Sequence, residues 1–159
     1  MNLVLFKIAD KEYGVDIKQV LQVIRMKAPV RVPEAAQFVE GVITVGGKVV
    51  PLVNLRKKMG LSSEVFTKSG RILLTETEGH LIGVMVDSVT DVIAVERGSI
   101  TPPDDILKDA RYLLGVVKLG NRLILAADMA KVLNADERTS INDVRGRVEI
   151  RKKGGENQQ

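Results

Sequence analysis

The 159 residues suffice for one medium domain or for two small barrels sharing an interface, and a hydrophobic content of 45% can supply a core. Aromatic residues are only 3%, so that core must be Val, Ile and Leu, whose branched side chains favour strands over helices. The absence of cysteine excludes disulfides and cysteine-zinc sites, and the net charge of +4 is partly local, with Arg145, Arg147, Arg151, Lys152 and Lys153 crowding the C-terminal end.

In chain order, Asn2 to Ile8 reads as a strand, Asp10-Lys11-Glu12 as a polar turn and Tyr13 to Ile17 as a second strand. Asp16 is placed to cap a single helical turn before Val20, and Leu21 to Met26 looks extended. Pro29 and Pro33 bracket a further extended piece, Val30-Arg31-Val32, and Glu34 to Phe38 reads as a turn. Phe38 to Arg56 has the pattern of a β-hairpin: two apolar runs flank Gly46-Gly47, and paired glycines supply the positive φ of a tight turn. Its second run is expected to stop at Pro51, since proline donates nothing to a strand ladder. A short helix from Asn54 to Met59 ends at Gly60.

Ser62 to Gly70 reads as a polar loop. Arg71 to Thr75 and Leu81 to Val86 form a second hairpin across Glu76-Thr77-Glu78-Gly79, Asp87 to Val89 is expected to be another helical turn, and Asp91 to Val95 extended. A proline-bearing loop covers Gly98 to Leu107. A third hairpin, Leu114 to Met129, precedes a short helix from Asp128 to Leu133.

The chain repeats itself. Gly41-Val42 aligns with Gly115-Val116, Gly46 with Gly120, and Asn54 with Asp128, each pair 74 positions apart. Upstream, Tyr13-Gly14-Val15 matches Ile82-Gly83-Val84, and Val20 matches Val89, at an offset of 69. An insertion in the Thr101-Pro102-Pro103 loop reconciles the two offsets. Such self-similarity reports repeated architecture. The expectation is an all-β domain over residues 1–136, made of two packed small barrels with short helices, their halves centred on about 13–70 and 82–134. Residues 137–159 are expected to be a polar, basic, disordered tail.

Nothing in the chain has the pattern of a catalytic or cofactor site. His80 is a lone histidine beside a hairpin turn, with no cysteine, second histidine or acid cluster for a metal. Gly46-Gly47-Lys48 lacks the spacing of a phosphate loop and lies within a hairpin. Asp87 and Asp91 read as capping and solvated carboxylates rather than an acid-base pair. Phe6, Tyr13, Phe38, Phe66 and Tyr112 are scattered and not interleaved with basic residues, so the chain is not expected to bind nucleic acid. No apolar run approaches the roughly 20 residues of a membrane helix. No signal peptide is visible, and a soluble cytoplasmic protein without membrane insertion is expected.

The spaced set Tyr13-Gly14-Val15-Asp16-Ile17, Val20, Val23-Ile24-Arg25, Pro33, Phe38-Val39-Glu40-Gly41-Val42-Ile43 and Gly47-Lys48-Val49-Val50-Pro51-Leu52-Val53-Asn54-Leu55-Arg56 resembles the bacterial chemotaxis coupling proteins of the CheW family. Gly83 to Val89, Ile100-Thr101-Pro102-Pro103, Leu114-Gly115-Val116 and Arg122-Leu123-Ile124 continue the resemblance, which covers about residues 2–134. It implies two five-stranded SH3-like barrels and a non-enzymatic adaptor without cofactor or metal. The implied partners are the regulatory domain of a CheA-type histidine kinase and the cytoplasmic tips of chemoreceptors. Recruitment to membrane-associated receptor arrays, and rings formed with the kinase or with itself, are implied as well.

Carried onto this chain, the resemblance implies partner-binding residues Val20, Gln22, Thr44, Val45, Gly46 and Ile72. The Thr44 to Gly46 turn and Gln22 depart from the family pattern. The turn that normally reads Asn-Leu-Arg-Gly is Thr44-Val45-Gly46-Gly47, so glycine stands where a five-donor guanidinium is usual. The pattern Val-x-Glu becomes Val20-Leu21-Gln22, which neutralises a usual acid. These departures keep open a paralogue that scaffolds a different signalling system. The basic tail keeps open a small-barrel nucleic-acid binder as a remote alternative.

Overall fold

A computed structural model of the chain describes residues 1–61, 66–103 and 111–132. Its strands are β1 Asn2–Ile8, β2 Lys11–Asp16, β3 Val20–Arg25, β4 Val39–Val45, β5 Lys48–Asn54, β6 Arg71–Thr77, β7 His80–Val86, β8 Ser88–Ala94, β9 Leu113–Leu119 and β10 Arg122–Ala127. Two four-residue helices, α1 Leu55–Lys58 and α2 Met129–Val132, follow β5 and β10. The expected tail, 137–159, lies outside the described residues, as do parts of the two loops anticipated after Ser62 and Gly98.

The strands form two five-stranded sheets. Barrel A has the order β8-β1-β2-β10-β9 and barrel B the order β3-β6-β7-β5-β4. The chain therefore starts in barrel A, crosses to barrel B after Asp16, and returns to barrel A at Asp87. The halves of the sequence repeat, about 13–70 and 82–134, are thus not the two barrels. Each barrel takes strands from both copies, and equivalent strands occupy equivalent places: β1 with β6, β2 with β7, β3 with β8, β4 with β9 and β5 with β10.

Side-chain alternation explains why the central strands read as unbroken apolar runs. Along β1, Leu3 and Leu5 point into barrel A, where they meet Val117, Ile124 and Ala126. Val4, Phe6 and Ile8 point the other way, into a core shared with barrel B. Along β6, Ile72 and Leu74 fill barrel B, while Leu73 faces the shared core. A strand buried on both faces leaves little place for a polar residue, and buried Thr75 of β6 donates its hydroxyl to the Ile82 carbonyl at 3.0 Å. The shared core includes the stacked rings of Phe6 and Tyr13, with centroids 5.7 Å apart. Burial pushes the Tyr13 hydroxyl's pKa up.

The matched glycines of the repeat mark the tightest places. A Cβ on Gly83 would lie 2.5 Å from Leu52 Cδ2 and 2.9 Å from Ile72 Cγ2, and one on Gly14 would crowd Leu3, Leu5 and Ile124. Both glycines point into a barrel, where Gly83 leaves no space for another atom and Gly14 leaves only a tight one. Each barrel is closed by one further bridge. Val30 N donates to Val42 O and Val42 N to Val30 O, both at 2.9 Å, while Thr101 and Val116 exchange the same pair of bonds in barrel A. Next to these bridges lie Gly41 and Gly115, where a Cβ would come 2.2 Å from the Val30 or the Thr101 carbonyl oxygen. Gly41 also holds φ +142°, a conformation that side-chain-bearing residues avoid.

Two local expectations need correction. β5 runs through Pro51 to Asn54, and Pro51 pairs with Val42 of β4. The missing amide is tolerated because the parallel ladder from β5 to β7 starts only at Leu52. Asp87 to Val89 is not a helical turn, since β8 begins at Ser88. Asp87 instead serves the crossover. Its carboxylate accepts from Arg56 Nε at 2.6 Å and from Ala9 N at 2.7 Å, and its own amide donates to the Lys7 carbonyl at 2.9 Å. Arg56 lies in the first turn of α1 and Ala9 turns β1 into β2, so one carboxylate joins the two barrels.

Substituting alanine at Gly83 is expected to lower stability by about 1–3 kcal/mol, the usual cost of overpacking. Gly41→Ala should cost more than Gly83→Ala, because it meets backbone that cannot swing aside. Urea unfolding midpoints of the two variants against the parent chain check this order.

Candidate partner-binding surface

All six residues singled out from the sequence fall in barrel B. Val20 opens β3, half-buried against the shared core, and Gln22 is exposed further along that strand. Thr44 and Val45 end β4, with Thr44 exposed and Val45 half-buried, and Gly46 opens the hairpin turn. Ile72 does not join them. It is fully buried inside barrel B at 0% exposure, on the strand between β3 and β7, so it supports the wall from within and offers nothing to a partner.

The turn has the geometry its sequence requires. Gly46 and Gly47 hold φ of +56° and +78°, the two left-handed residues of the commonest tight hairpin turn. A Cβ at Gly46 would find no atom within 4 Å. A Cβ there meets no steric bar, and the cost of placing a side chain at this position lies in the backbone conformation.

β3 carries the exposed apolar surface that the sequence reading passed over. Among the described residues it pairs only with β6, leaving its outer edge without a strand neighbour. Val20 faces Thr75 and Gln22 faces Leu74, so Leu21 is the extra residue of a bulge. Leu21 is 56% exposed and Val23 39%. A signal existed in Val20-Leu21-Gln22-Val23-Ile24, which lacks the polar alternation of an ordinary solvated edge strand. Beyond β3 the chain bends to the closing bridge and leaves a groove of about 400 Å³, lined by Lys27, Ala28, Val30, Val42, Thr44 and Val49 among others. Val30 is 70% exposed there, and Lys27 Nζ reaches the Thr44 carbonyl at 3.4 Å.

Polar contacts fix the base of the hairpin. Glu40 on β4 pairs with Lys57 of α1 at 2.6 Å and accepts from Asn54 Nδ2 at 3.0 Å, while Asn54 Oδ1 caps α1 by accepting from Lys57 N. Burial pushes the Glu40 carboxyl's pKa up, but the hydrogen bonds from Lys57 and Asn54 outweigh it and hold the pKa below the ordinary carboxylate value. At the crossover after Asp16, Gln19 makes a comparable tie to barrel A. Its amide donates to Asp128 Oδ1 at 2.7 Å and accepts from Met129 N at 3.0 Å at the start of α2.

No group of three or more potential metal-binding side chains occurs among the described residues. Phe6 and Tyr13 are buried, and Phe38, Phe66 and Tyr112 pack partly buried against the cores, so these rings form no base-stacking platform. No helix among the described residues is long and apolar enough to cross a membrane.

The model of the CheW-like domain matches residues 2–137. The chain belongs to the CheW family. It is 31% identical over 137 residues to the chemotaxis protein CheW of Helicobacter pylori, covering 86% of this chain and 83% of that one. It is also 31% identical to the CheW of Bacillus subtilis, with 87% and 90% covered. The crystal structure of the scaffolding protein TtCheW from Thermoanaerobacter tengcongensis matches with a TM-score of 0.78 at 29% identity, covering 86% of this chain and 89% of that one. CheW-family proteins are scaffolding adaptors of chemotaxis rather than enzymes.

Because the folded-state pKa of Glu40 is depressed, its contribution to stability is fully present above the unfolded carboxylate value near 4.5 and is lost as pH falls through the lower folded value. Glu40→Gln should therefore lower stability at pH 7, and the gap to the parent chain should narrow by about pH 3. Urea unfolding at the two pH values tests this.

Proposed function

We propose that this adaptor couples the cytoplasmic tips of chemoreceptors to the regulatory domain of a CheA-type histidine kinase, and that barrel B provides the docking surface. The observation that carries this reading is β3, an edge strand with Leu21 and Val23 exposed and no outer neighbour among the described residues. Such an edge offers unpaired backbone donors and acceptors, together with apolar side chains that a solvated edge strand normally avoids. Val20 and Gln22 lie on the same strand, and Thr44, Val45 and Gly46 line the hairpin tip of the same barrel. In this reading the protein works in the cytoplasm at membrane-associated arrays, where barrel-to-barrel contacts with the kinase or with further copies build rings.

A second reading rests on Gly46 and Gln22. Loss of a guanidinium and a carboxylate from one surface fits a CheW-fold paralogue serving a different signalling system. A deletion strain with normal chemotaxis would favour it over the first.

Titration of the purified chain with its cognate kinase regulatory domain and receptor tip tests the proposal. Leu21→Asp and Val23→Asp should each weaken binding by at least about tenfold while leaving circular dichroism unchanged. Parent-like affinity in both variants would contradict the role given to β3. Gly46→Arg should cost about 1 kcal/mol of stability, since a side chain is forced into the left-handed turn. Tighter binding in that variant would mark the native turn as a weakened family site, and weaker binding a turn refitted to another partner.

A further inference from the structure

Several cations of the protein are matched to carboxylates. Arg56 pairs with Asp87, Lys57 with Glu40, and Arg122 with Glu12. The end of barrel B farthest from Val20 is different. Arg25, the last residue of β3, lies directly opposite Arg71, the first residue of β6. Like charges facing each other across a ladder oppose strand pairing. Arg71 spends its guanidinium on the Lys68 and Gly70 carbonyls, at 3.0 and 2.7 Å, and Lys27 contacts the Thr44 carbonyl. Arg25, Lys48 and Lys68 make no side-chain hydrogen bond or ion pair among the described residues. Lys48 opens β5 beside the hairpin turn, and Lys68 lies in the turn before β6. Among the described residues, Arg25, Lys68 and Arg71 therefore flank one end of the sheet, with Lys27 two residues beyond β3, and none of these four cations has a carboxylate partner.

The same end holds the apolar groove. Lys27 lines it, with Ala28, Val30, Val42 and Val49 forming its apolar wall, and Val23 is exposed two residues before Arg25. We infer that this end of barrel B docks a segment of a partner protein that carries both carboxylates and small apolar side chains, the apolar groups entering the groove and the carboxylates meeting Arg25, Lys27 and Arg71. Charge complementarity names the acidic half of that chemistry, because an anion relieves the cross-strand arginine pair. The concave apolar wall names the other half. A concave wall suits side chains of a peptide, which can enter between its sides, better than the flat surface of a bilayer. The inference rests on the barrel B surface proposed above, shares Val23 and Thr44 with it and extends it to the groove and its cations, and it holds whichever protein supplies the segment.

The probe is a short, blocked peptide alternating glutamate with valine, titrated into the full chain while amide chemical shifts are followed. Shifts are expected at Val23, Arg25, Val30 and Thr44, with affinity falling steeply between about 0.05 and about 0.3 M salt. The double variant Arg25→Glu with Lys27→Glu should lose at least about tenfold in affinity for this peptide. It should gain affinity for the matching peptide with lysine in place of glutamate. Arg25→Glu alone should unfold at a higher urea concentration than the parent, because a carboxylate would then face Arg71 across the ladder. No binding of the glutamate peptide at low salt would overturn the inference, as would equal affinity in the parent and the double variant. Vesicles of phosphatidylcholine and phosphatidylserine are the second probe. Binding to them in the absence of peptide binding would assign the surface to lipid and overturn the inference as well.

Discussion

The structure depends on burying four strands on both faces. β1 in one barrel, and β6 and β7 in the other, each send alternate side chains into their own barrel and into the core between the barrels, while β2 gives Tyr13 and Val15 to that core and turns only Gly14 toward its own barrel. A five-stranded barrel of this size encloses very little, and the interior cluster of barrel A is built on Leu3, Leu5, Val117, Ile124 and Ala126. The shared core is the largest of the hydrophobic clusters, with Val4, Phe6, Ile8, Tyr13, Val15, Leu73, Val84 and Val86 among its members. At roughly 1.5–3 kcal/mol for each large apolar side chain removed from water, it outweighs the interior of either barrel. Neither barrel would be expected to hold its shape without the other.

The crossover of the chain strengthens this dependence. Because the chain crosses between the barrels twice, after Asp16 and at Asp87, separating them would require pulling strand ends out of both sheets at these crossings as well as opening the core. Polar ties stand at both crossings: Gln19 to the start of α2, and Asp87 to Arg56 and Ala9. These bonds add direction to a contact whose strength is apolar, since burial is indifferent to orientation and hydrogen bonds are not.

Function is left to whatever the shared core does not consume. The inner strands are enclosed, so surface for a partner must come from edge strands, hairpin tips and the segments that close the barrels. β3, the Gly46-Gly47 turn and Val30 are of these three kinds. Residue type alone could not separate them from the core. Ile72 and Val23 are both β-branched aliphatics in apolar runs, yet one is sealed inside barrel B and the other is 39% exposed. The difference is the direction of the side chain and the absence of a described strand beyond β3, neither of which a local pattern records.

Local patterns along the chain were enough for most of the strands, the turns, the repeat and the family. β1 was legible from Asn2 to Ile8, the hairpin at Gly46-Gly47 followed from the backbone freedom of glycine, and the spacing of matched glycines showed the duplication. Alternation, turn chemistry and spacing set these features, and they act over a few residues or repeat along the chain. Other features emerged only when the sheets assembled. The repeat halves exchange strands between the barrels, Pro51 continues a strand, Asp87 joins the two barrels, and Arg25 faces Arg71. Each of these depends on which distant segments become neighbours. Strand pairing over such distances is selected by the total apolar surface buried, a property of the assembled sheets that no short stretch of residues carries.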